Sequence, residues 1–392
     1  MIHTLLQYIT AYKNKITNKL WGVVFLYTKK KKKGTVLIAY ITGPFTLAPG
    51  EYFTDPHSNY WVTAEMARIF LERGYDVDVI NWNNVAYKPR KHYACVLDID
   101  KNLEGWKPFL SKDCVKIYFI NGSYWKFQNE AEQKRLLALQ KRRGVLLSSH
   151  RNVSFSKNTE LADFIAGYGN STVHGTFPVP EGKIIPLPVP AMDTYDFPEN
   201  KDFEKARTHF LWFGGGGAML KGLDLVLEAF AALPHLKLSI IGPAAFEKEF
   251  EETYAKELAL PNIIRYSRPK IQKDGTITTD GIDIRDILNQ CGAVVYVSAS
   301  EGGGGAVVHA MQAGIFPIVS PNTGISEKAP SKVLSGPTIE NIHAAVQEFS
   351  QLSPEKIKQL SKEVWRFAQK YHTKKSFTEA FENLVDNIVK LK

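Results

Sequence analysis

At 392 residues the chain is long enough for two α/β domains, each with its own hydrophobic core. Its 44% hydrophobic and 23% charged residues describe an ordinary soluble globular protein. The net charge of +9 is local: eight of the 49 basic residues lie in residues 1–34, which hold no acid, leaving 41 basic against 40 acidic groups elsewhere. A nucleic-acid partner is thereby excluded, because a nucleic-acid-binding body carries its charge on the body.

The first 34 residues form a basic amphipathic segment. Ile2, Leu5, Leu6, Ile9, Tyr12 and Ile16 recur at helical spacing with lysines between them, and Lys29 to Lys33 follow. The apolar run Leu20 to Tyr27 is well short of the roughly 20 residues a membrane-spanning helix needs. Such a segment suits an anionic membrane surface, with a disordered basic extension as the alternative. The cysteines Cys95, Cys114 and Cys291 stand singly, without metal or redox spacing, as buried thiols of a cytosolic protein do.

Residues 35–190 read as a first domain of βα units, a doubly wound sheet. Strands are expected at Thr35 to Thr42, Val77 to Ile80, Ala94 to Ile99, Lys116 to Ile120 and Val145 to Ser149, with helices from about Asn59 to Arg73 and from Glu130 to Arg143. The triplet Asp98-Ile99-Asp100 has metal-binding form, but two acids two apart occur by chance in most chains of this length, and no metal is expected. His150 and Arg151 follow a strand's C-terminal end, where ligands bind in open α/β sheets; His150 is a catalytic candidate. Prolines between Lys183 and Asn200 mark a stiff boundary, with the linker at 191–205.

The second domain, residues 206–372, opens with the strand His209 to Phe213 and the loop Gly214, Gly215, Gly216 and Gly217, before a helix led by Lys221. A lysine and free N–H groups there can stabilise a diphosphate without metal. Two commoner readings fail: G-x-G-x-x-G needs glycine where Met219 and Leu220 stand, and a P-loop needs Ser or Thr where Gly222 stands. A helix over Phe246 to Leu258, strands at Leu236 to Ile241 and Ile263 to Tyr266, and a helix over Ile282 to Asn289 follow. The organising stretch is Ala293 to Ser320: a strand to Val297, Glu301, the glycines Gly302, Gly303, Gly304 and Gly305, a helix from near Ala306, and a strand from Ile315 to Val319. The glycines leave backbone N–H groups free to close on a ligand, and the helix aims its positive end at the same spot. Residues 373–392 form a last helix.

This stretch resembles the donor-sugar signature of GT-B glycosyltransferases, in the group 1 or family four retaining branch, S-x-x-E-G-x-x-x-x-x-x-E-A-M-x-x-G-x-P-V-V. Ser298, Glu301, Gly302, Ala310, Met311 and Gly314 fall in register; Pro317 comes one residue late, and His309 replaces the second glutamate. The run G-x-x-x-x-x-K-G-L-D-x-x-L-x-A-F, ending at Phe230, matches a second motif, with Gly216 where family members usually carry an arginine.

The resemblance implies two Rossmann-like domains facing a cleft, the last helix crossing back to the first domain, and a retaining, metal-independent transferase. Its co-substrate would be a nucleotide-diphosphate sugar, with no cofactor. Catalytic roles fall to Glu301, Lys221 and His150. The donor side would be the two glycine loops, Lys221, Glu301 on the sugar hydroxyls and His309 facing the ribose. The acceptor side would be His57, Ser58, Asn59, Tyr124 and Arg151. A glycan or lipid-linked acceptor fits a cytoplasmic enzyme held peripherally on the membrane's inner face by residues 1–33, as in bacterial envelope polysaccharide synthesis. The alternative is an inactive GT-B scaffold of a glycan-assembly complex, suggested by the substitutions at Gly216 and His309.

Overall fold

The computed structural model describes residues 2–48 and 50–390. A helix over Ile2–Trp21 precedes strand β1 (Val23–Leu26), and then β2 (Gly34–Tyr40), β3 (Tyr75–Asn81), β4 (Cys95–Asp98), β5 (Val115–Ile120), β6 (Phe164–Gly167) and β7 (Ile184–Pro186) build a seven-stranded sheet in the order β1-β3-β2-β4-β5-β6-β7. All its pairs are parallel except β1 with β3. Val36 to Tyr40 are buried without a break, as strands covered on both faces require.

The second domain holds β8 (His209–Phe213), β9 (Lys237–Ile241), β10 (Ile263–Tyr266), a ribbon of β11 (Lys270–Ile271), β12 (Ile277–Thr279) and β13 (Ile282–Asp283), then β14 (Ala293–Tyr296), β15 (Phe316–Val319) and β16 (Lys332–Val333). Its main sheet is parallel throughout, in the order β10-β9-β8-β14-β15-β16. The order reverses between β8 and β14, so the loops leaving these strands face one crevice. The expected two-domain α/β architecture is what the chain adopts.

Three local expectations are corrected. Val145 to Ser149 form no strand, and from Ser148 onward carboxylates, not a neighbouring strand, take the polar groups. Glu249 accepts the Ser148 N–H at 2.7 Å, and Glu132 accepts the Ser149 hydroxyl and the N–H groups of His150 and Arg151. The helix expected over Phe246 to Leu258 breaks at Tyr254 into Lys248–Thr253 and Ala255–Leu258. The run after Leu20 supplies β1, whose antiparallel pairing covers the edge of β3.

Two devices fix the domains against each other. The helix Trp125–Arg143 of the first domain lays arginines on acids of the second: Arg142 on Asp224 at 2.9 Å and Glu228 at 3.0 Å, and Arg143 on Glu257 at 2.8 Å. Arg135 of the same helix donates to the Val297 carbonyl at 2.7 Å. From the other side, the helix Lys374–Lys390 returns to the first domain, where Phe377 and Phe381 pack on Trp61 and Phe70 and Arg73 pairs with Asp386. Asp224 is fully buried beneath Arg142, with Arg135 within 4 Å. Replacing it by alanine takes the nearby acid from buried Arg135, which keeps only the Val297 carbonyl, and one of two acids from Arg142, which keeps Glu228. Asp224→Ala should therefore lose about 3 kcal/mol or more of stability, read as a lowered denaturant midpoint, whereas exposed Lys205→Ala should be near neutral.

Candidate active site

The crevice between the domains is a cavity of about 770 Å³. Its floor is an ionic cluster made by the two loops at the switch point. The Lys221 ammonium contacts the Glu301 carboxylate and donates to the Tyr296 hydroxyl at 3.0 Å; that hydroxyl donates to Glu301 at 2.7 Å. Lys221 and Glu301 are largely buried, with side-chain exposures of 13% and 20%. Burial works to raise the Glu301 carboxyl, but the Lys221 charge and the hydrogen bonds from Lys221 and Tyr296 outweigh it and hold the group below its ordinary range. Tyr296, the last residue of β14, gave no sequence signal, because it sits inside an apolar strand where an aromatic reads as core.

The glycine loops behave less simply than their composition suggests. Gly214 N–H is taken by the Ile241 carbonyl at 3.0 Å, and Gly217 N–H by the Glu247 carboxylate at 2.5 Å. Gly215 and Gly216 remain along the cavity wall, while Gly217 lies outside its lining. In the second loop, a Cβ on Gly302 would stand 2.1 Å from the Asn121 carbonyl oxygen. Glycine there permits the close approach of the first domain, reinforced by the Ser123 hydroxyl donating to the Glu301 carbonyl at 2.9 Å. Gly302 to Gly305 all line the cavity, and Gly305 opens the helix Gly305–Gln312.

His309 on that helix reaches the cavity wall, yet it is 4% exposed. Its Nε2 pairs with the Tyr195 hydroxyl at 2.9 Å, and the ring lies edge-on to Tyr195 and Phe213. Its Nδ1 has no hydrogen-bond partner among the described residues. Burial pushes its pKa down to about 4, so the imidazole is neutral near pH 7.

The opposite wall comes from the first domain. His57, Ser58 and Asn59 line it; the His57 Nδ1 accepts the Asn59 N–H at 3.3 Å and caps the helix Ser58–Glu72. Burial also lowers the His57 pKa. His150 and Arg151 enter on the loop that Glu132 holds. Tyr124 does not line the cavity: its ring packs on Phe177 and Trp125, which reaches the wall in its stead. Asp98 is spent on structure, accepting from the Asn102 N–H at 2.6 Å and the Asn158 side chain at 2.7 Å, while Asp100 lines the cavity. Among the described residues no group of three or more His, Cys, Asp or Glu could hold a metal ion. Sequence reasoning also missed Arg268, which lines the cavity and pairs with Asp55 at 2.7 Å across the cleft, beside an Ile271 N–H bond to the Thr54 carbonyl. No spacing signal marks a lone arginine before a short ribbon.

Residues 200–364 match the family model of glycosyl transferases group 1. No curated protein matches the chain in sequence. Among solved structures, sucrose-phosphate synthase from Thermosynechococcus elongatus is similar at a TM-score of 0.64 and 11% identity, over 92% of this chain and 100% of that one. The N-terminal domain of a Candida albicans trehalose-6-phosphate phosphatase is similar at a TM-score of 0.53 and 8% identity, over 93% and 99%. At these identities the likeness is one of fold, and it spans both domains.

Two buried histidines of the second domain make acid stability testable. His209, bonded to the Ser239 hydroxyl at 2.9 Å, is also pushed down to about 4 by burial. Between pH 6.5 and 4 the unfolded chain binds protons that the folded chain refuses at both sites. Stability is therefore full above pH 6.5 and falls as pH drops through that window, by on the order of 1.4 kcal/mol per pH unit for each group. The double variant His209→Asn, His309→Gln should show a flatter melting-temperature profile between pH 6.5 and 4.5; an unchanged profile would refute this.

Proposed function

We propose that this chain, whose residues 200–364 match the model of glycosyl transferases group 1, is a retaining, metal-independent glycosyltransferase. It moves a sugar from a nucleotide-diphosphate donor to a hydroxyl of a glycan or lipid-linked acceptor. The observation that carries the reading is the Lys221–Glu301–Tyr296 cluster at the floor of the interdomain cleft. A bound diphosphate carries about two negative charges and gains more as the sugar–phosphate bond breaks, which a fixed ammonium stabilises in the transition state. In this reading Glu301, held ionised, accepts hydrogen bonds from donor-sugar hydroxyls, and Lys221 turns to the leaving diphosphate. Neutral His309 offers the ribose side a single free ring nitrogen. The acceptor hydroxyl enters from the wall of His57, Ser58, Asn59 and His150, on the face the diphosphate leaves, which preserves the anomeric configuration.

The membrane setting is supported by the helix Ile2–Trp21, which is amphipathic the wrong way round for a helix docked on a protein. Asn14 and Thr17 are buried against the first domain, with Asn14 donating to the Phe45 carbonyl at 2.9 Å. Tyr12, Ile16, Leu20 and Trp21 face outward, at 68, 42, 65 and 62% exposure, among Lys13, Lys15 and Lys19. An apolar face rimmed by lysines matches an anionic lipid surface, at about 1 kcal/mol per lysine. Among the described residues no helix is long and apolar enough to cross a membrane. An acceptor carried on a lipid, as in bacterial envelope polysaccharide synthesis, is consistent with that arrangement.

Nucleotide sugars presented without added metal test the chemistry. One donor should bind and slowly release its nucleotide, and Lys221→Ala should lose at least 100-fold in turnover, the scale of one preorganised charge contact. Binding without turnover, even with glycolipid acceptors present, would instead favour an inactive scaffold. The membrane reading is tested by flotation with phosphatidylglycerol vesicles. Deleting the segment is unsuitable because β1 belongs to the sheet, so Leu20→Glu with Trp21→Glu is used. Undiminished flotation of that variant would sink the membrane reading.

A further inference from the structure

We infer that Arg151, assigned by sequence to the acceptor side, is a donor-binding residue that grips the diphosphate from the opposite domain; the inference rests on the transferase reading above. The Arg151 side chain crosses from the first domain to lie over the glycine loop of the second. A Cβ on Gly217, where φ is +88°, would stand 2.6 Å from the Arg151 Cγ and 2.7 Å from its Cδ. Among the described residues its guanidinium makes no hydrogen bond or ion pair.

The other cations of the cavity are committed. Lys221 is tied to Glu301 and Tyr296, and Arg268 to Asp55. The loop's own amides are partly spent, since Gly217 and Ala218 donate to Glu247, and that carboxylate makes the loop a poorer anion site than glycine content implies. A diphosphate seated there needs a further positive charge, and Arg151 is the uncommitted one. It also lies near enough to help hold Glu301 ionised.

Its backbone is rigidly placed. Glu132 accepts its N–H at 3.0 Å, and the Gln128 side chain donates to its carbonyl at 2.8 Å. Both partners sit on the helix Trp125–Arg143, whose other arginines bind the second domain. The guanidinium is thus presented to the glycine loop by the element that joins the domains. Gly216, where group 1 members usually carry an arginine, is the neighbouring position; a Cβ there would meet only the Glu247 carboxylate, at an ordinary 3.5 Å.

The test is calorimetric binding of uridine, guanosine, adenosine and cytidine diphosphates and monophosphates, without acceptor, to full-length wild type, Arg151→Ala and Arg151→Ala with Gly216→Arg. Arg151→Ala should weaken the preferred diphosphate about 10- to 100-fold, the worth of one charged hydrogen-bonding contact, and narrow its advantage over the monophosphate. Gly216→Arg should restore most of that loss, because it returns a guanidinium to the same loop. Wild-type diphosphate affinity in Arg151→Ala, an equal loss for diphosphate and monophosphate, or a loss that Gly216→Arg leaves untouched would each overturn the inference. If Lys221→Ala abolishes binding while Arg151→Ala does not, the transferase reading survives and only this assignment falls. If wild type binds no nucleoside diphosphate, both fall.

Discussion

The contact on which the site depends is the approach of Gly302 to the Asn121 carbonyl, closer than any side chain would allow. It presses the loop carrying Glu301 onto the turn after β5, where Ser123 holds the Glu301 carbonyl. Because that loop belongs to one domain and the turn to the other, the cavity has no existence in either domain alone. Gly303 repeats the constraint: a Cβ there would stand 2.3 Å from Val189. The composition that reads as a ligand cradle is thus also an interdomain seam.

Around that seam the charges are arranged in depth. At the floor, Lys221 and Glu301 compensate each other, so neither is an isolated ion away from water. A donor diphosphate would compete for Lys221, and Tyr296 would keep Glu301 hydrogen-bonded meanwhile. Behind the wall, the arginines of Trp125–Arg143 neutralise buried acids and fix the spacing of the domains. His309 contributes no charge, because its aromatic surroundings keep it neutral.

Much of this was legible in the sequence. The parallel strands announced themselves as unbroken apolar runs, and Glu301 and Lys221 stood out because each lies beside a glycine loop that follows such a run. What escaped were residues whose meaning lies in another segment. Glu132 sits in a helix of mixed charge and looks like surface, yet it accepts the N–H groups of His150 and Arg151 and so holds the loop that carries them into the cleft. Tyr296 is hidden by the hydrophobicity of its strand. Tyr124 was placed by a family position, but its ring satisfies a local aromatic cluster and Trp125 faces the cleft. Arg151 was visible as a residue but not as a neighbour of Gly217, since nothing in one dimension brings positions 151 and 217 together.

The returning helix Lys374–Lys390 has a consequence for the order in which the protein can be finished. Phe377 and Phe381 are fully buried on Trp61 and Phe70, a burial worth roughly 1.5–3 kcal/mol for each ring. The first domain leaves the ribosome when β7 is made, but its last aromatic layer is encoded some two hundred residues later. At 5–20 residues per second, the nascent domain waits about 10–40 s with that apolar face uncovered. The half that is translated earlier is therefore completed only once the helix Lys374–Lys390 has emerged and docked on it.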